Sequence, residues 1–191
     1  MKVLVVDDTK NIRALLATCL EIEGYQVVTA TNGQEALDLL LTEGFDLVFL
    51  DIKLPEISGT EVLRKVREGG IKLPVVIMTA FATVKNAVEC TKMGAMAYLQ
   101  KPFTPEKVRQ VLNEIRDTLK EQNLVFEDYL NKSRKLLAEG DFNQAYTNLK
   151  QALAMEPACK EVYNLLAEAY RGLGNYQEAV RFESIAAQFA D

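Results

Sequence analysis

The 191-residue chain contains no histidine. This absence excludes histidine-dependent catalytic triads, histidine metal ligands and any phosphohistidine step carried on this chain. Cysteine is scarce as well, because only Cys19, Cys90 and Cys159 occur and they stand far apart. Their odd number and wide spacing indicate neither a disulfide framework nor a zinc site. We expect all three to fill space in the core.

Long apolar runs and a basic excess are also missing. No stretch approaches the roughly 18 apolar residues of a membrane span, and Met1 leads into a strand pattern instead of a signal peptide. We therefore expect a cytoplasmic protein without a membrane partner. Residues 1–120 carry 15 basic and 16 acidic side chains, and residues 121–191 carry 7 and 11. The second part lacks the basic face that nucleic-acid binding requires, so nucleic acid is not an expected partner.

Up to about residue 120, short apolar runs alternate with helical patterns. The apolar runs are Val3–Val6, Tyr25–Thr29, Leu47–Leu50, Val75–Met78 and Ala97–Leu99. Five strands that alternate with five helices predict an α/β fold, with a parallel sheet covered on both faces and right-handed crossovers. Val84, Ala87 and Val88 carry the fourth helical pattern, and Thr104 followed by Pro105 predicts the start of the fifth helix.

Polar residues stand at the carboxyl ends of four predicted strands, where functional residues gather in doubly wound sheets. Asp7 and Asp8 follow strand 1, Asp51 follows strand 3, Thr79 follows strand 4 and Lys101 follows strand 5. Asp7 and Asp8 alone indicate either a solvated turn or a site for a hard cation such as Mg²⁺. The whole set, at one edge of the sheet, predicts a functional site.

This pattern resembles the receiver domain of two-component response regulators, over about residues 1–120. The residues that carry the resemblance are Asp7-Asp8, Asp51, Gly59, Thr79-Ala80, Tyr98 and Lys101-Pro102-Phe103. The resemblance implies a flavodoxin-like, doubly wound sheet of five parallel strands in the order 2-1-3-4-5. It also implies a cis peptide bond between Lys101 and Pro102, for which the base rate alone is low.

The resemblance implies a role for each of these polar residues. Mg²⁺ is assigned to Asp7, Asp8, Asp51 and the backbone carbonyl of Lys53. Asp51 is the phosphoacceptor, Thr79 the switch hydroxyl, Tyr98 the switch aromatic, and Lys101 the ammonium that contacts the phosphoryl group. Clustered carboxylates repel one another unless a cation lies among them, and Mg²⁺ also bridges to phosphate oxygens.

Phosphorylation would then act through the residues around Asp51. Its added charge would draw Thr79 inward and let Tyr98 follow, which alters the face formed by the fourth helix, the fifth strand and the fifth helix. Lys53 and Phe81 stand where they could limit the access of water to an acyl phosphate. They predict a phosphorylated state that lasts minutes or longer.

Beyond Lys120 the pattern is helical and repeats with a period of 34 residues. The offset aligns Tyr129 with Tyr163, Ser133 with Ala167, Gly140 with Gly174, Phe142 with Tyr176, Ala145 with Ala179 and Ala152 with Ala186. This part, residues 121–191, predicts an all-α domain and resembles two tetratricopeptide helical hairpins, at about 126–159 and 160–191. A connection at about Lys120–Leu124 would be too short to act as a flexible tether.

The predicted repeats depart from the usual pattern in residue type and in number. Tyrosine stands where tryptophan is common. Lys132 and Glu183 stand at positions that are usually apolar. Repeat arrays usually need about three units and a polar cap. Two units leave two alternatives open, a piece of a longer repeat protein or an array completed by another copy. The inner groove, with Glu127, Arg134, Asn164, Glu168 and Arg171, does not identify a ligand.

The sequence thus predicts a response regulator that signals through its repeats to a protein or peptide partner. With no histidine on the chain, the phosphoryl donor of Asp51 is expected to be a separate histidine kinase, histidine phosphotransfer protein or small phosphodonor. Homodimerisation stays open. We expect no enzymatic turnover of an external metabolite.

Three alternatives differ in the class of function. The first is a scaffold or dimerisation protein that is not phosphorylated. The second is a Mg²⁺-dependent aspartyl phosphatase of the haloacid dehalogenase class, which would want Asp-x-Asp after strand 1 where this chain has Asp7-Asp8-Thr9. A flavodoxin-like cofactor site is the least favoured, because Asp7 and Asp8 would repel a flavin phosphate.

Overall fold

A computed structural model gives the structure of the chain and describes residues 1–80, 88 and 90–189. Phe81 and the beginning of the fourth predicted helix, with Val84 and Ala87, lie outside the described residues. The chain divides into two compact units, Met1–Asp117 and Thr118–Asp191. None of the described helices has the length and apolar character that crossing a membrane requires.

The first unit is built on a five-stranded parallel sheet. Its strands are β1 (Lys2–Val6), β2 (Gln26–Ala30), β3 (Leu47–Asp51), β4 (Val75–Thr79) and β5 (Ala97–Gln100). They lie in the order β2-β1-β3-β4-β5, which confirms the predicted order. The register aligns Val6, Leu50, Ile77 and Tyr98 across four strands. The carboxyl ends of these strands therefore meet at one edge of the sheet.

Helices of the first unit cover the sheet and form its core. They include α1 (Lys10–Ile22), α2 (Gly33–Thr42), α3 (Gly59–Glu68) and the beginning of α4 (Pro105–Ala138). All residues of β3 and β4 are buried, as expected for central strands covered on both faces. Asn32 and Ser58 cap α2 and α3, because their side chains accept the backbone N–H of the residue three positions on.

Helix α4 runs for 34 residues without a break. It begins where predicted, since the Thr104 hydroxyl accepts a hydrogen bond of 3.4 Å from the Lys107 N–H. The predicted connection at Lys120–Leu124 is wrong, because these residues are helical. Residues 118–126 contain neither glycine nor proline, so nothing in the sequence ends the helix there. The division between the two units falls within α4.

The second unit consists of the end of α4 and of α5 (Phe142–Met155), α6 (Lys160–Gly172) and α7 (Tyr176–Ala186). Its two hairpin turns repeat after 34 residues. Gly140 and Gly174 both have positive φ, 80° and 77°, which glycine adopts without steric cost. Asp141 and Asn175 follow them and cap α5 and α7. The core between the helices includes Leu130, Leu149, Ala152, Val162 and Leu166.

Lys132 and Glu183, the polar residues at usually apolar repeat positions, both form ion pairs in the structure. The exposed Lys132 pairs with Asp128 at 2.6 Å, one turn earlier on α4. Glu183 on α7 pairs with Arg171 on α6. The three cysteines are unpaired, with Cys19 and Cys90 buried as predicted and Cys159 only partly buried.

Candidate functional site

Three carboxylates meet at the carboxyl edge of the sheet. Asp7 follows β1 and is fully buried, Asp8 is exposed, and Asp51, the last residue of β3, is 5% exposed. One ligand oxygen from each residue lies within 4.8 Å of the others. The structure therefore brings together the three acidic residues that the sequence predicts.

Lys101 reaches this cluster from the end of β5. Its Nζ donates a hydrogen bond of 2.6 Å to Asp51 Oδ2 and lies 2.5 Å from Asp7 Oδ2. The backbone N–H of Lys101 donates to the Thr79 carbonyl at 2.8 Å, which fixes the lysine to the end of β4. The Lys101–Pro102 peptide bond is cis, as the resemblance implies. A single ammonium thus lies against two buried carboxylates.

Burial and charge act in opposite directions on this pair. Burial raises the pKa of the Asp51 carboxyl above its ordinary value, although the hydrogen bond from Lys101 opposes the rise. Burial alone would lower the pKa of Lys101, but the carboxylates of Asp51 and Asp7 together raise it. Lys101 is therefore held as a cation, whereas Asp51 carries a charge that its surroundings disfavour.

The cluster fits a divalent cation in its chemistry. Asp7 Oδ2 is a buried carboxylate oxygen that lies 2.5 Å from Lys101 Nζ and has no further partner among the described residues. A hard cation with oxygen ligands would satisfy such an atom. Asp7, Asp8 and Asp51 supply three negative charges that one ammonium does not neutralise.

The loop between β1 and α1 holds the acidic pair in place. The backbone N–H of Thr9 donates to Asp7 Oδ1 at 2.9 Å, and its hydroxyl donates to Asp8 Oδ1 at 3.2 Å. Arg13 Nη1 donates to the backbone carbonyl of Asp7 at 2.6 Å. Arg13 was not predicted from the sequence, since its partner is a main-chain oxygen that carries no sequence signal.

The loop after β3 positions Asp51. The Lys53 N–H donates to Asp51 Oδ1 at 3.3 Å, and the Gly59 N–H donates to the Ile52 carbonyl at 2.9 Å. A Cβ at residue 59 would overlap the Asp51 carbonyl, which explains why glycine stands there. Lys53 itself is exposed, two residues after Asp51, and its role as a carbonyl ligand stays a prediction.

The two predicted switch residues lie on neighbouring strands. Thr79 ends β4 and is 3% exposed, and Tyr98 lies half-buried in β5, where it is paired with Ile77. Thr79 is joined to the site through the hydrogen bond between its carbonyl and the Lys101 N–H. Their roles as a switch stay predictions.

Comparison with known proteins assigns the first unit to a family. The model of the response regulator receiver domain matches residues 3–113. The chain belongs to the response regulator receiver family. A tetratricopeptide repeat model matches residues 136–182, which extend from the end of α4 into α7. The chain therefore combines a receiver domain with a tetratricopeptide region.

Curated relatives match chiefly through the receiver domain. Sporulation initiation phosphotransferase F of Bacillus subtilis is 39% identical over 119 residues, which cover 62% of this chain and 90% of that protein. Regulatory protein AtoC of Escherichia coli is 36% identical over 111 residues, which cover 58% of this chain. The chain spans only 24% of the length of AtoC.

Solved structures agree with the receiver fold. A CheY-like receiver domain protein from Methanospirillum hungatei has a TM-score of 0.57 and 36% identity, covering 64% of this chain and 95% of that one. The response regulator TrrA of Thermotoga maritima, solved in complex with Mg²⁺ and BeF, has a TM-score of 0.54 and 35% identity. That match covers 59% of this chain and 96% of TrrA.

Proposed function

We propose that the chain is a two-component response regulator that is phosphorylated on Asp51 in a Mg²⁺-dependent reaction. The observation that carries the proposal is the contact of Lys101 Nζ with Asp51 Oδ2 at 2.6 Å, inside a cluster with Asp7 and Asp8. The proposed donor is a separate histidine kinase or histidine phosphotransfer protein, because the chain has no histidine. The proposal includes the cytoplasmic location predicted from the sequence.

In this proposal the residues at the site hold Mg²⁺, accept the phosphoryl group or contact its oxygens. Mg²⁺ would be held by Asp7, Asp8, Asp51 and the Lys53 carbonyl, and it would neutralise charge on the transferring group. A carboxylate oxygen of Asp51 forms the new bond to phosphorus as the bond between phosphorus and the donor breaks. Lys101 already contacts the acceptor carboxylate, so its ammonium is placed to donate to the phosphoryl oxygens.

Phosphorylated Asp51 would bias the switch residues and, through them, the output region. Its added charge and acceptor oxygens would attract the Thr79 hydroxyl, and Tyr98 would follow. We propose residues 1–120 as the receiver and residues 121–191 as the output domain, with repeats at about 126–159 and 160–191. The output is binding of a protein or peptide, with homodimerisation as a further state to test.

The proposed catalysis is confined to phosphorylation and dephosphorylation of the chain itself. A phosphatase of the haloacid dehalogenase class would use a second aspartate two positions after its nucleophile on strand 1. Thr9 stands two positions after Asp7, and its N–H and hydroxyl are bonded to Asp7 and Asp8. A receiver function therefore fits the residues of the site better than a phosphatase function does.

Incubation with acetyl phosphate, with and without Mg²⁺, tests the metal dependence of the proposed reaction. We expect labelling only with Mg²⁺. Asp8→Ala should abolish labelling and leave the fold intact, because Asp8 is exposed and its removal relieves repulsion. Asp38→Ala, which removes an exposed carboxylate on α2, should label as the unaltered chain does. Equal labelling of the Asp8→Ala variant would contradict the proposed metal site.

A further inference from the structure

Helix α6 covers the beginning of α5, the second helix of the first tetratricopeptide hairpin. Phe142 and Tyr146, one turn apart on α5, are covered by α6. A Cβ on Gly172 would overlap the Phe142 ring, so the ring lies directly on that glycine. The Tyr146 and Tyr170 rings meet edge to face, 5.2 Å between centroids. A small residue and an aromatic residue near the end of a helix thus form the covering surface.

Among the described residues, nothing buries the equivalent surface of the second hairpin. With the offset of 34 residues, Tyr176 and Val180 on α7 correspond to Phe142 and Tyr146. Tyr176 is 68% exposed and Val180 is 61% exposed, and the neighbouring Leu173 is 39% exposed. We name Leu173, Tyr176 and Val180 the terminal stripe. Three large apolar side chains this exposed, two of them one turn apart on α7 and the third in the turn before it, indicate a binding surface.

The charge at the position equivalent to Arg134 is reversed in the second hairpin. In the first hairpin, Arg134 on α4 pairs with Glu161, in the first turn of α6, at 2.5 Å. Glu168 stands in place of Arg134 in the second hairpin and is exposed. None of the ion pairs found between described side chains includes Glu168. A helix that covers the terminal stripe as α6 covers α5 would therefore need a basic residue where α6 has Glu161.

We propose that the terminal stripe binds an amphipathic helix of a partner protein. This helix carries Lys or Arg in its first turn, facing Glu168, and an aromatic residue and then a small residue near its end, facing Val180 and Tyr176. The inference rests on the proposed protein-binding role of the repeats and identifies the chemistry of the partner. It does not depend on the phosphorylation of Asp51.

A second copy of the chain is a poorer occupant. Helix α6 carries the required aromatic and small residues, but it already covers α5 through Tyr170 and Gly172. Its first turn carries Glu161, which would face Glu168 with the same charge. The negative charge of Glu168 therefore disfavours α6 of a second copy and favours a helix with a basic residue in its first turn.

Titration of the full chain with labelled peptides, followed by fluorescence anisotropy, tests the proposal. The probe spans residues 159–174, with Cys159→Ser to cap the helix and Glu161→Lys to meet Glu168. The comparison peptide keeps Glu161. We expect the lysine peptide to bind roughly two- to fivefold more tightly, the range of one exposed ion pair. Glu168→Lys in the chain should reverse this preference.

Two matched variants locate the bound peptide. Val180→Glu should weaken binding roughly tenfold or more, because it places an unpaired charge in the apolar contact. Leu124→Glu makes the same change at a side chain that is 70% exposed on α4 and should leave binding unchanged. Circular dichroism of both variants checks that they are folded.

Four outcomes would overturn the proposal. They are no binding of either peptide, a preference that Glu168→Lys does not reverse, binding that survives Val180→Glu, and self-association of the chain that Val180→Glu abolishes. The third would mean that the peptide displaces α6, and the fourth that a second copy is the occupant. Failure of acetyl phosphate labelling would concern Asp51 alone, so the two proposals fail separately.

Discussion

At the scale of single residues, Asp51 combines a reactive position with an unfavourable charge. Its burial raises its pKa above the ordinary value of 3.8, so the folded state holds the proton more tightly than the unfolded state. The free energy of unfolding therefore falls as pH rises from that ordinary value through the pKa of the folded protein. The acceptor carboxylate thus costs stability at neutral pH.

Asp51→Asn removes this cost and should stabilise the protein at neutral pH. We expect the free energy of unfolding to rise by about 1 kcal/mol at neutral pH, because an amide buries without a charge. The gain should shrink as pH falls below the ordinary value of 3.8, where the unfolded state takes up the proton as well. Urea unfolding at several pH values measures it. The control Asp38→Asn, at an exposed site, should show no pH-dependent gain in the free energy of unfolding. If the free energies of Asp51→Asn and of the unaltered chain changed with pH in parallel, Asp51 would not carry the predicted cost.

The sequence indicates the members of the site but not all of their supports. Asp7, Asp51 and Lys101 could be predicted because they stand at strand ends, which a parallel sheet brings to one edge. Arg13 could not be predicted, since it binds the main-chain carbonyl of Asp7 and such partners depend on the folded path of the chain. The hydrogen bonds of Thr9 are set in the same way.

At the scale of elements, Arg67 joins three segments of the receiver domain. Its guanidinium, on α3, donates to the carbonyls of Ile71, Leu73 and Gly94 at 2.7, 2.9 and 2.8 Å. Burial lowers the pKa of Arg67. The two segments around residues 71–73 and 94 lead into β4 and β5. Arg67 therefore fixes the entry to β4, which ends at Thr79, and to β5, which Lys101 follows.

Arg67→Met should destabilise the receiver domain by about 2 kcal/mol, because three carbonyls lose a charged donor at once. Arg64→Met is the matched control on the same helix. Arg64 is exposed and pairs with Glu61 and Glu68, so its loss should change the free energy of unfolding by less than about 1 kcal/mol. Chemical unfolding compares the two variants. Equal effects of both substitutions would show that Arg67 has no special structural role.

Helix ends show how far local sequence determines the elements. Gly24 stands two residues after the end of α1 and has the positive φ of 85° that favours glycine. Gly44 stands two residues after the end of α2, but there Glu43 is already extended and the positive-φ glycines do not include Gly44. The sequence has no helix stop signal near residue 120. Helix α4 therefore continues where a connection between the two domains was expected.

At the scale of the whole molecule, the receiver site and the repeats are proposed to be coupled. Helix α4 carries buried residues of the first unit, such as Val111 and Leu112, and of the second, such as Phe126 and Leu130. We expect beryllofluoride with Mg²⁺, a mimic of the phosphoryl group, to change either the oligomeric state or the affinity for the lysine peptide. Analytical ultracentrifugation and the peptide titration measure both.

The control for this coupling is Asp51→Asn, which should not respond to beryllofluoride because the acceptor carboxylate is missing. Equal sedimentation and equal peptide affinity with and without beryllofluoride in the unaltered chain would exclude coupling. That result would leave the receiver chemistry and the binding surface standing as separate properties of one chain.

The proposal that Asp51 accepts the phosphoryl group is tested most directly by locating that group on the chain. The chain is incubated with acetyl phosphate and Mg²⁺, and its intact mass is measured beside that of Asp51→Asn. We expect the mass of one added phosphoryl group on the unaltered chain, its loss when Mg²⁺ is chelated beforehand, and no addition to Asp51→Asn. Equal phosphorylation of Asp51→Asn, or no phosphorylation of the unaltered chain, would contradict the proposal.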